Sequence, residues 1–312
     1  MMKFGILGDA KIAREKVIPA IHAAGHEVIA LGRRAPDARV DDPIYAGVTQ
    51  TDYDSVLANP DVEIIYNPLP NHLHVPWSIK AMQAGKHVIC EKPIALNGAE
   101  LRQLEDAAQR TGQYVYEGFM IRHHPQWKWV PEAPIGRAQG VQIVFAYPIL
   151  NADNIRNVRE YGGGPLYDIG CYAIMAGILI FGGGPESITV QMVMDEAHGV
   201  ENFASGLLVW PDNRHLTFTV SSSSALTQAV HVMGTEGAAR LEVPFNPFGP
   251  TTGYLMRNGL GPGDAITFPD CDQYAVMIED VIASIAAGER PDFAHSRIVT
   301  SCLETMLAHR PG

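Results

Sequence analysis

Four groups of residues in this sequence have the types and spacing to do chemistry. They are a small-residue turn at Gly8-x-Ala10-x-x-Ala13, an arginine pair at Arg33 and Arg34, a lysine ahead of a proline at Lys92, and an acid with a phenol at Asp168 and Tyr172. Asp168 and Tyr172 stand four apart in "GGGPLYDIGCY" (162–172), so a helix projects both from one face. The glycines before them let the chain bring that helix start close to a ligand. Oxidising an alcohol requires hydride to leave carbon while a base takes the hydroxyl proton. An unperturbed tyrosine, with a pKa of about 10, is a poor base at neutral pH. A nearby ammonium stabilises tyrosinate, and Lys92 is the candidate for it. Asp168 can orient a hydroxyl or hold the lysine. Each residue also has a plainer reading: Lys92 as a solvent lysine, Asp168 as a helix N-cap, Tyr172 as a half-buried helix aromatic.

The other two groups suit a dinucleotide. In a Gly-x-Gly-x-x-Gly/Ala turn the small residues let the backbone approach pyrophosphate at a helix N-terminus. Ala10 departs from that pattern and costs some clearance. After the second predicted strand the chain reads "ALGRRAP", where an NAD site wants a carboxylate for the ribose 2′-OH. Arg33 and Arg34 offer guanidiniums for a 2′-phosphate instead, which favours NADP over NAD.

The elements that must position these groups alternate over the first 120 residues. Strands are expected at 3–8, 26–32, 62–70, 86–93 and 113–120. Helices are expected at 11–25 (interrupted at Pro19), 51–60, 74–85 and 97–112. Strand–helix alternation means a doubly wound parallel sheet. Lys92 falls at the carboxyl end of the fourth expected strand, where open α/β sheets place ligands. After residue 125, six strand candidates from "AQGVQIVFAYP" to "AARLEVPF" follow with few helices between them. That pattern is an α+β domain with an open, mostly antiparallel sheet, closed by helices over 273–288 and 296–309. The expected division is a Rossmann domain over 1–122 and an α+β domain over 123–312.

Bulk properties narrow the function classes. The chain has 312 residues and a formal charge of −11, with 34 Asp plus Glu against 23 Lys plus Arg. An acidic chain is a poor general binder of nucleic acid or anionic membrane. The four cysteines show no CxxC pair and read as reduced thiols. With no signal-peptide pattern and no apolar run of membrane-spanning length, a cytoplasmic protein is expected. His72, His74, His123 and His124 lack a metal-ligand spacing, so no metal is expected.

The segments "CEKPIAL", "YNPLPNHLH" (66–74), "EGFMIRHHPQ" (117–126) and "DNIRNVREYGGGPLYDIGCY" (153–172) resemble the Gfo/Idh/MocA oxidoreductase family, in family order. Having Tyr172 rather than His places the resemblance in the branch of glucose–fructose oxidoreductase, aldose 1-dehydrogenases and dimeric dihydrodiol dehydrogenase. The resemblance implies hydride transfer at a hydroxyl or carbonyl carbon of a sugar or cyclic alcohol. It assigns catalysis to Lys92, Asp168 and Tyr172. It implies cofactor contacts from Gly8, Ala10, Lys11, Ile12, Arg33, Arg34, Leu69, Asn71, His74, Glu91, Lys92 and Arg122. Substrate contacts would come from Lys92, Arg156, Asp168 and Tyr172, although Arg122 and Arg156 can equally be ion-pair residues. The expected reaction is oxidation of an aldose at C1 to a lactone. Keto-sugar reduction and dihydrodiol oxidation would use the same residues. NAD-dependent glycoside cleavage and a non-catalytic dinucleotide-binding regulator are the readings of other classes. A homodimer or higher homo-oligomer built through the C-terminal sheet is also implied.

Overall fold

The computed structural model describes residues 1–35, 37, 39–257, 261 and 263–310. Two compact units emerge: Met1–Met120 with Asp272–Ser296, and Ile121–Cys271 with Arg297–Gly312. The segment Asp272–Ser296 therefore leaves the expected 123–312 domain and joins the first unit. The reason is an apolar stripe on the helix Gln273–Ala287. Tyr274, Met277, Ile278 and Val281 are buried, and the helix packs on the first helical segment of the chain.

The first unit holds a six-stranded sheet of β1 (Lys3–Leu7), β2 (Glu27–Gly32), β3 (Thr49–Thr51), β4 (Ile64–Asn67), β5 (His87–Glu91) and β6 (Val115–Gly118). Its order is β3-β2-β1-β4-β5-β6, parallel throughout. That is the doubly wound order, with helices covering both faces, which is why β1, β4 and β5 read as nearly unbroken apolar runs. The three polar residues of β3 carry no such pattern, and the sequence reading passed over them. The helices are α1 (Ile18–Ala23), α2 (Tyr53–Ala58), α3 (His74–Gln83) and α4 (Gly98–Thr111). A π-helical turn, Ala13–Val17, precedes α1, and Pro19 lies in the first turn of α1. Proline has no N–H to give the helix ladder, and the segment expected over 11–25 with an interruption at Pro19 changes there from π-helical to α-helical bonding while its cap residues stay in helical φ/ψ. Asn97 and Glu100 together secure the start of α4: Asn97 Oδ1 accepts from Glu100 N at 2.9 Å, and Glu100 Oε2 accepts at 2.9 Å from the N–H of Leu96, the residue before the cap.

The second unit is built on an eight-stranded sheet: β7 (Ala138–Ala146), β8 (Ser187–Asp195), β9 (Val200–Val209), β10 (His215–Ser221), β11 (Thr227–Gly234), β12 (Ala238–Leu241), β13 (Thr251–Met256) and β14 (Asp264–Phe268). The order is β14-β13-β12-β11-β7-β10-β9-β8. Only β7 and β10 run parallel; every other pair is antiparallel. The last two strands lie beyond the sequence reading. Val141, Ile143 and Phe145 of β7 turn inward, while Gln142 and Val144 turn outward with Thr189, Gln191, Val193 and Thr217. The remaining helices are α5 (Pro125–Trp129), α6 (Cys171–Phe181), α7 (Gln273–Ala287) and α8 (Ala294–Leu307). By length and composition alone the helical stretch Arg159–Phe181 could cross a membrane, contrary to the reading that no run is long enough. Yet 83% of its apolar window is buried inside the protein. It is the core helix of the unit: Gly177 brings it so close to β10 and the Trp210 ring that a Cβ there would lie 2.4 Å from Trp210 Cη2.

Candidate active site

In the first unit the turn after β1 needs glycine at one place. Gly8 has φ +89°, and a Cβ on it would come within 3.0 Å of the Leu69 side chain. Its N–H donates to Gly32 O at 2.8 Å, which ties the turn to the end of β2. Ala10 O accepts from Arg14 N at 3.2 Å. Asp9, unnoticed in the sequence, is held by Arg14 Nη1 at 2.7 Å and by the Tyr45 hydroxyl at 2.8 Å. Burial first, then the Asp9 hydrogen bond, raises the Tyr45 phenol well above its ordinary range. Lys11 is exposed and pairs with Glu15 at 3.8 Å, and Ile12 is half-buried beside it.

At the end of β2, Arg33 N donates to Thr51 O at 2.7 Å. The Arg33 guanidinium keeps Nη1 buried with no hydrogen-bond partner among the described residues. Arg34 is exposed, and both arginines lie near enough to Tyr53 to oppose the upward push of burial on its phenol. A buried, unpartnered guanidinium donor with a second guanidinium next to it fits a phosphate.

The segment after β4 corrects one expectation. His74 was expected to touch the cofactor. Its ring is fully buried, with Nδ1 2.8 Å from Pro93 O and Nε2 2.7 Å from Leu69 O. Burial pushes the imidazole down to about 4, while the two carbonyls pull the other way. His74 thus lies between two backbone segments, its neutral ring donating to one carbonyl and facing the other, with neither nitrogen open to a ligand. Asn67 holds the start of the same helix, donating to His74 O at 3.0 Å and Ser78 Oγ at 3.1 Å. Leu69 is buried against Gly8, and Asn71 opens a 3₁₀ turn, Asn71–Leu73.

Lys92 follows β5 directly, and the Lys92–Pro93 peptide is cis. Its loop is anchored on three sides. Tyr66 donates to Glu91 Oε1 at 2.8 Å, His74 reaches Pro93 O, and Glu117 Oε1 accepts from Ile94 N at 2.9 Å. Glu117 is braced in turn by Ser296 Oγ at 2.6 Å. Glu91, expected at the cofactor, thereby has one carboxylate oxygen committed to Tyr66. Burial, followed by the Glu91 charge, raises the Tyr66 phenol well above its usual value. Tyr274 of α7 is raised by burial and Glu91 and lowered by Lys92, so it also neighbours this loop.

In the second unit Asp168 lies inside a π-helical turn, Leu166–Gly170, that runs into α6. The N-cap reading of Asp168 does not hold. Pro165 takes the cap position, and the Asp168 carboxylate, inside the turn, is occupied elsewhere. Its Oδ2 accepts from the Tyr147 hydroxyl and lies 2.9 Å from Arg156 Nε. Asp168 first, against burial, raises the Arg156 guanidinium above its ordinary value, with Tyr147 and Tyr172 adding to the effect. Four polar groups are therefore clustered: Tyr147, Arg156, Asp168 and Tyr172. Tyr172 is 5% exposed and meets Phe145 edge-on, 5.7 Å between centroids at 69°. Tyr147 was missed because it stands 21 residues from Asp168, and its only sequence context is the end of a strand. Arg122 is exposed on the 3₁₀ turn Met120–His123 and falls in the second unit. Among the described residues, no three His, Cys, Asp or Glu side chains are placed to hold a metal ion.

A six-stranded doubly wound sheet with a glycine turn at β1 and a phosphate-fitting arginine at β2 defines a dinucleotide-binding protein, and the second unit adds a polar cluster on an apolar helix. Residues 2–119 match the model of the oxidoreductase family with an NAD-binding Rossmann fold, and residues 128–240 match the GFO/IDH/MocA C-terminal domain. An uncharacterized oxidoreductase of Rhizobium meliloti is 38% identical over 92% of this chain and 90% of its own. D-xylose 1-dehydrogenase (NADP(+)) 2 of Haloferax volcanii is 31% identical over 93% of this chain and 91% of its own. A solved 3-ketoreductase from Actinomadura kijaniata, in complex with NADP and TDP-benzene, superposes with a TM-score of 0.92 at 27% identity, covering 98% of this chain and 97% of that one. The same ketoreductase has been solved with a tyrosine changed to phenylalanine and with a lysine changed to alanine or glutamate. The chain belongs to the Gfo/Idh/MocA oxidoreductase family.

Proposed function

We propose that this protein is an NADP-dependent dehydrogenase that oxidises an aldose at C1 to the lactone, with Lys92 and Tyr172 as its proton relay. The observation that carries the reading is the lysine loop. A lysine at the carboxyl end of a parallel strand, in an NAD-binding sheet, is held by three separate anchors. Such fixation serves a group that must meet a reacting atom. NADP, when bound, supplies the hydride acceptor. Arg33 and Arg34 hold its 2′-phosphate, and the backbone at Gly8 and Ala10 takes the pyrophosphate. The Tyr172 oxygen accepts the proton that leaves the C1 hydroxyl, and the Lys92 ammonium stabilises the negative charge on both oxygens. Asp168, paired with Arg156 and Tyr147, accepts hydrogen bonds from a neighbouring sugar hydroxyl. Support for an aldose comes from the xylose dehydrogenase relative, which matches over most of both chains. Keto-sugar reduction is the second reading, favoured by the high superposition on the 3-ketoreductase.

The test is direct. The protein is mixed with NADP⁺ or NAD⁺ and a panel of aldoses, cyclitols and diols, and absorbance of the reduced nicotinamide is followed. Turnover of an aldose with NADP⁺ is expected. Turnover only of keto sugars with NADPH would select the second reading, and binding of neither cofactor would overturn both. Lys92→Ala should lower kcat by at least about 100-fold, the usual scale for a group in proton transfer. The outward face of the second sheet, with Val144, Val193 and Met233 exposed, is the surface we assign to self-association. Size-exclusion chromatography with light scattering checks it: a monomer at micromolar concentration would rule it out.

A further inference from the structure

We propose that the buried Glu201–Arg310 ion pair is a positioning device that sets the orientation of Asp168 and Tyr172. This rests on the reading of those two residues as the substrate-side groups. Glu201 stands near the start of β9 with no exposure, and the Arg310 side chain is 6% exposed. Glu201 Oε1 accepts from Leu166 N at 2.9 Å, and Leu166 is the first residue of the turn carrying Asp168. Arg310 Nε donates to Glu201 Oε2 at 2.6 Å, and Arg310 Nη2 donates to Gly163 O at 2.7 Å. The guanidinium also lies 5.6 Å from the Tyr167 ring centroid. One buried pair thus binds the glycine loop, the helix start and the residue next to Asp168.

The glycines are shaped to this pair. Gly164 has φ +101°, and a Cβ on it would lie 2.4 Å from Glu201 Oε1 and 2.6 Å from Arg310 Nη2. A Cβ on Gly163 would lie 2.5 Å from Arg156 O and 2.7 Å from Val158 O. The loop is therefore pressed onto the pair on one side and onto the Arg156 segment on the other, and Arg156 is the ion partner of Asp168. The glycines serve close packing within the unit; the approach to a ligand read from the sequence is not what their surroundings require. Stability alone does not call for charges here. Desolvating two ions is costly, and an apolar pair of similar volume is often as stable or more so. What the ion pair adds is direction, because its hydrogen bonds fix where Leu166 N and Gly163 O must point.

The experiment replaces the pair by Glu201→Leu with Arg310→Met, and separately by Arg310→Lys, which keeps the charge and loses the planar fork. Turnover of the best aldose from the panel, the NADPH dissociation constant and the melting temperature are measured for each. The double variant should fold and bind NADPH with an unchanged constant, while kcat falls at least 10-fold; Arg310→Lys should fall between it and the parent. In a Tyr172→Phe background the same double change should lower kcat by a smaller factor than in the parent, because one of the two groups it orients is already gone. A folded double variant with kcat within twofold of the parent overturns the proposal, as does a loss equally large in the Tyr172→Phe background. If the double variant does not fold, Arg310→Lys decides by the same two criteria. Full turnover in both Tyr172→Phe and Asp168→Asn would instead sink the underlying assignment of those residues.

Discussion

At the scale of single residues, the two ends of the dinucleotide site differ in how they are prepared. Arg33 is left with a buried donor that has no partner among the described residues, an expensive state unless a ligand relieves it. Changing Arg33 and Arg34 together to Ala should weaken NADP⁺ binding at least about 10-fold, the loss expected from charge-assisted hydrogen bonds to phosphate, with little effect on NAD⁺. Titration of both cofactors by quenching of tryptophan fluorescence reads this out, and an equal loss for both would refute the arginine assignment. His74 and Glu91 teach the opposite lesson. Their residue types suit a ligand, but their atoms are spent on Leu69, Pro93 and Tyr66. Both hold the loop that carries Lys92.

At the scale of elements, the helix starts are each built differently. The turn after β1 uses a positive φ at Gly8 and then a π-helical turn, whereas α4 uses an Asn97 side-chain cap with Glu100 reaching back to Leu96 N. The start of the Asp168 helix uses a buried acid, Glu201, in place of a cap. Gly164→Ala should therefore destabilise the second unit by about 2–3 kcal/mol, through an unfavourable φ and a clash with the ion pair. Urea unfolding followed by circular dichroism measures it. An unchanged midpoint would show that the loop can relax without the glycine.

For the whole molecule, buried imidazoles set an acid limit on stability. Burial pushes His124 down to about 4, and His74 likewise to about 4. A ring depressed in the folded state stays neutral while the unfolded chain takes up a proton near the ordinary histidine value of about 6.5. Its contribution is complete above that pH and is lost as pH falls from 6.5 towards 4, at about 1.4 kcal/mol per pH unit for each such histidine. His74 lies in the first unit and His124 in the second, so both units should weaken over this range. Urea midpoints at pH 7.5, 6 and 5 should fall progressively. His124→Asn, which can still accept from Gln126 N at the start of α5, should flatten the slope for the second unit. A slope unaltered by that change would mean His124 is not one of the groups responsible.

Periodicity and local punctuation located five of the six parallel strands, which read as apolar runs, and Gly85, Gly112 and Gly288, all with positive φ, ended helices where the pattern stopped. Family-ordered motifs singled out Lys92, Asp168 and Tyr172 as candidates, because each lies in a short stretch with its own signature. Missed were β3, with three polar residues, and β13 and β14, which close the far edge of the second sheet. No local pattern could reveal that Tyr147 holds Asp168 across 21 residues, that Glu201 and Arg310 meet across 109, or that α7 returns to the first unit. Such partnerships depend on which burial sites the folded chain leaves for a charge or an apolar stripe. Secondary structure follows from neighbours in sequence, but the desolvation that forces a buried ion to find its partner exists only once the chain has closed around it.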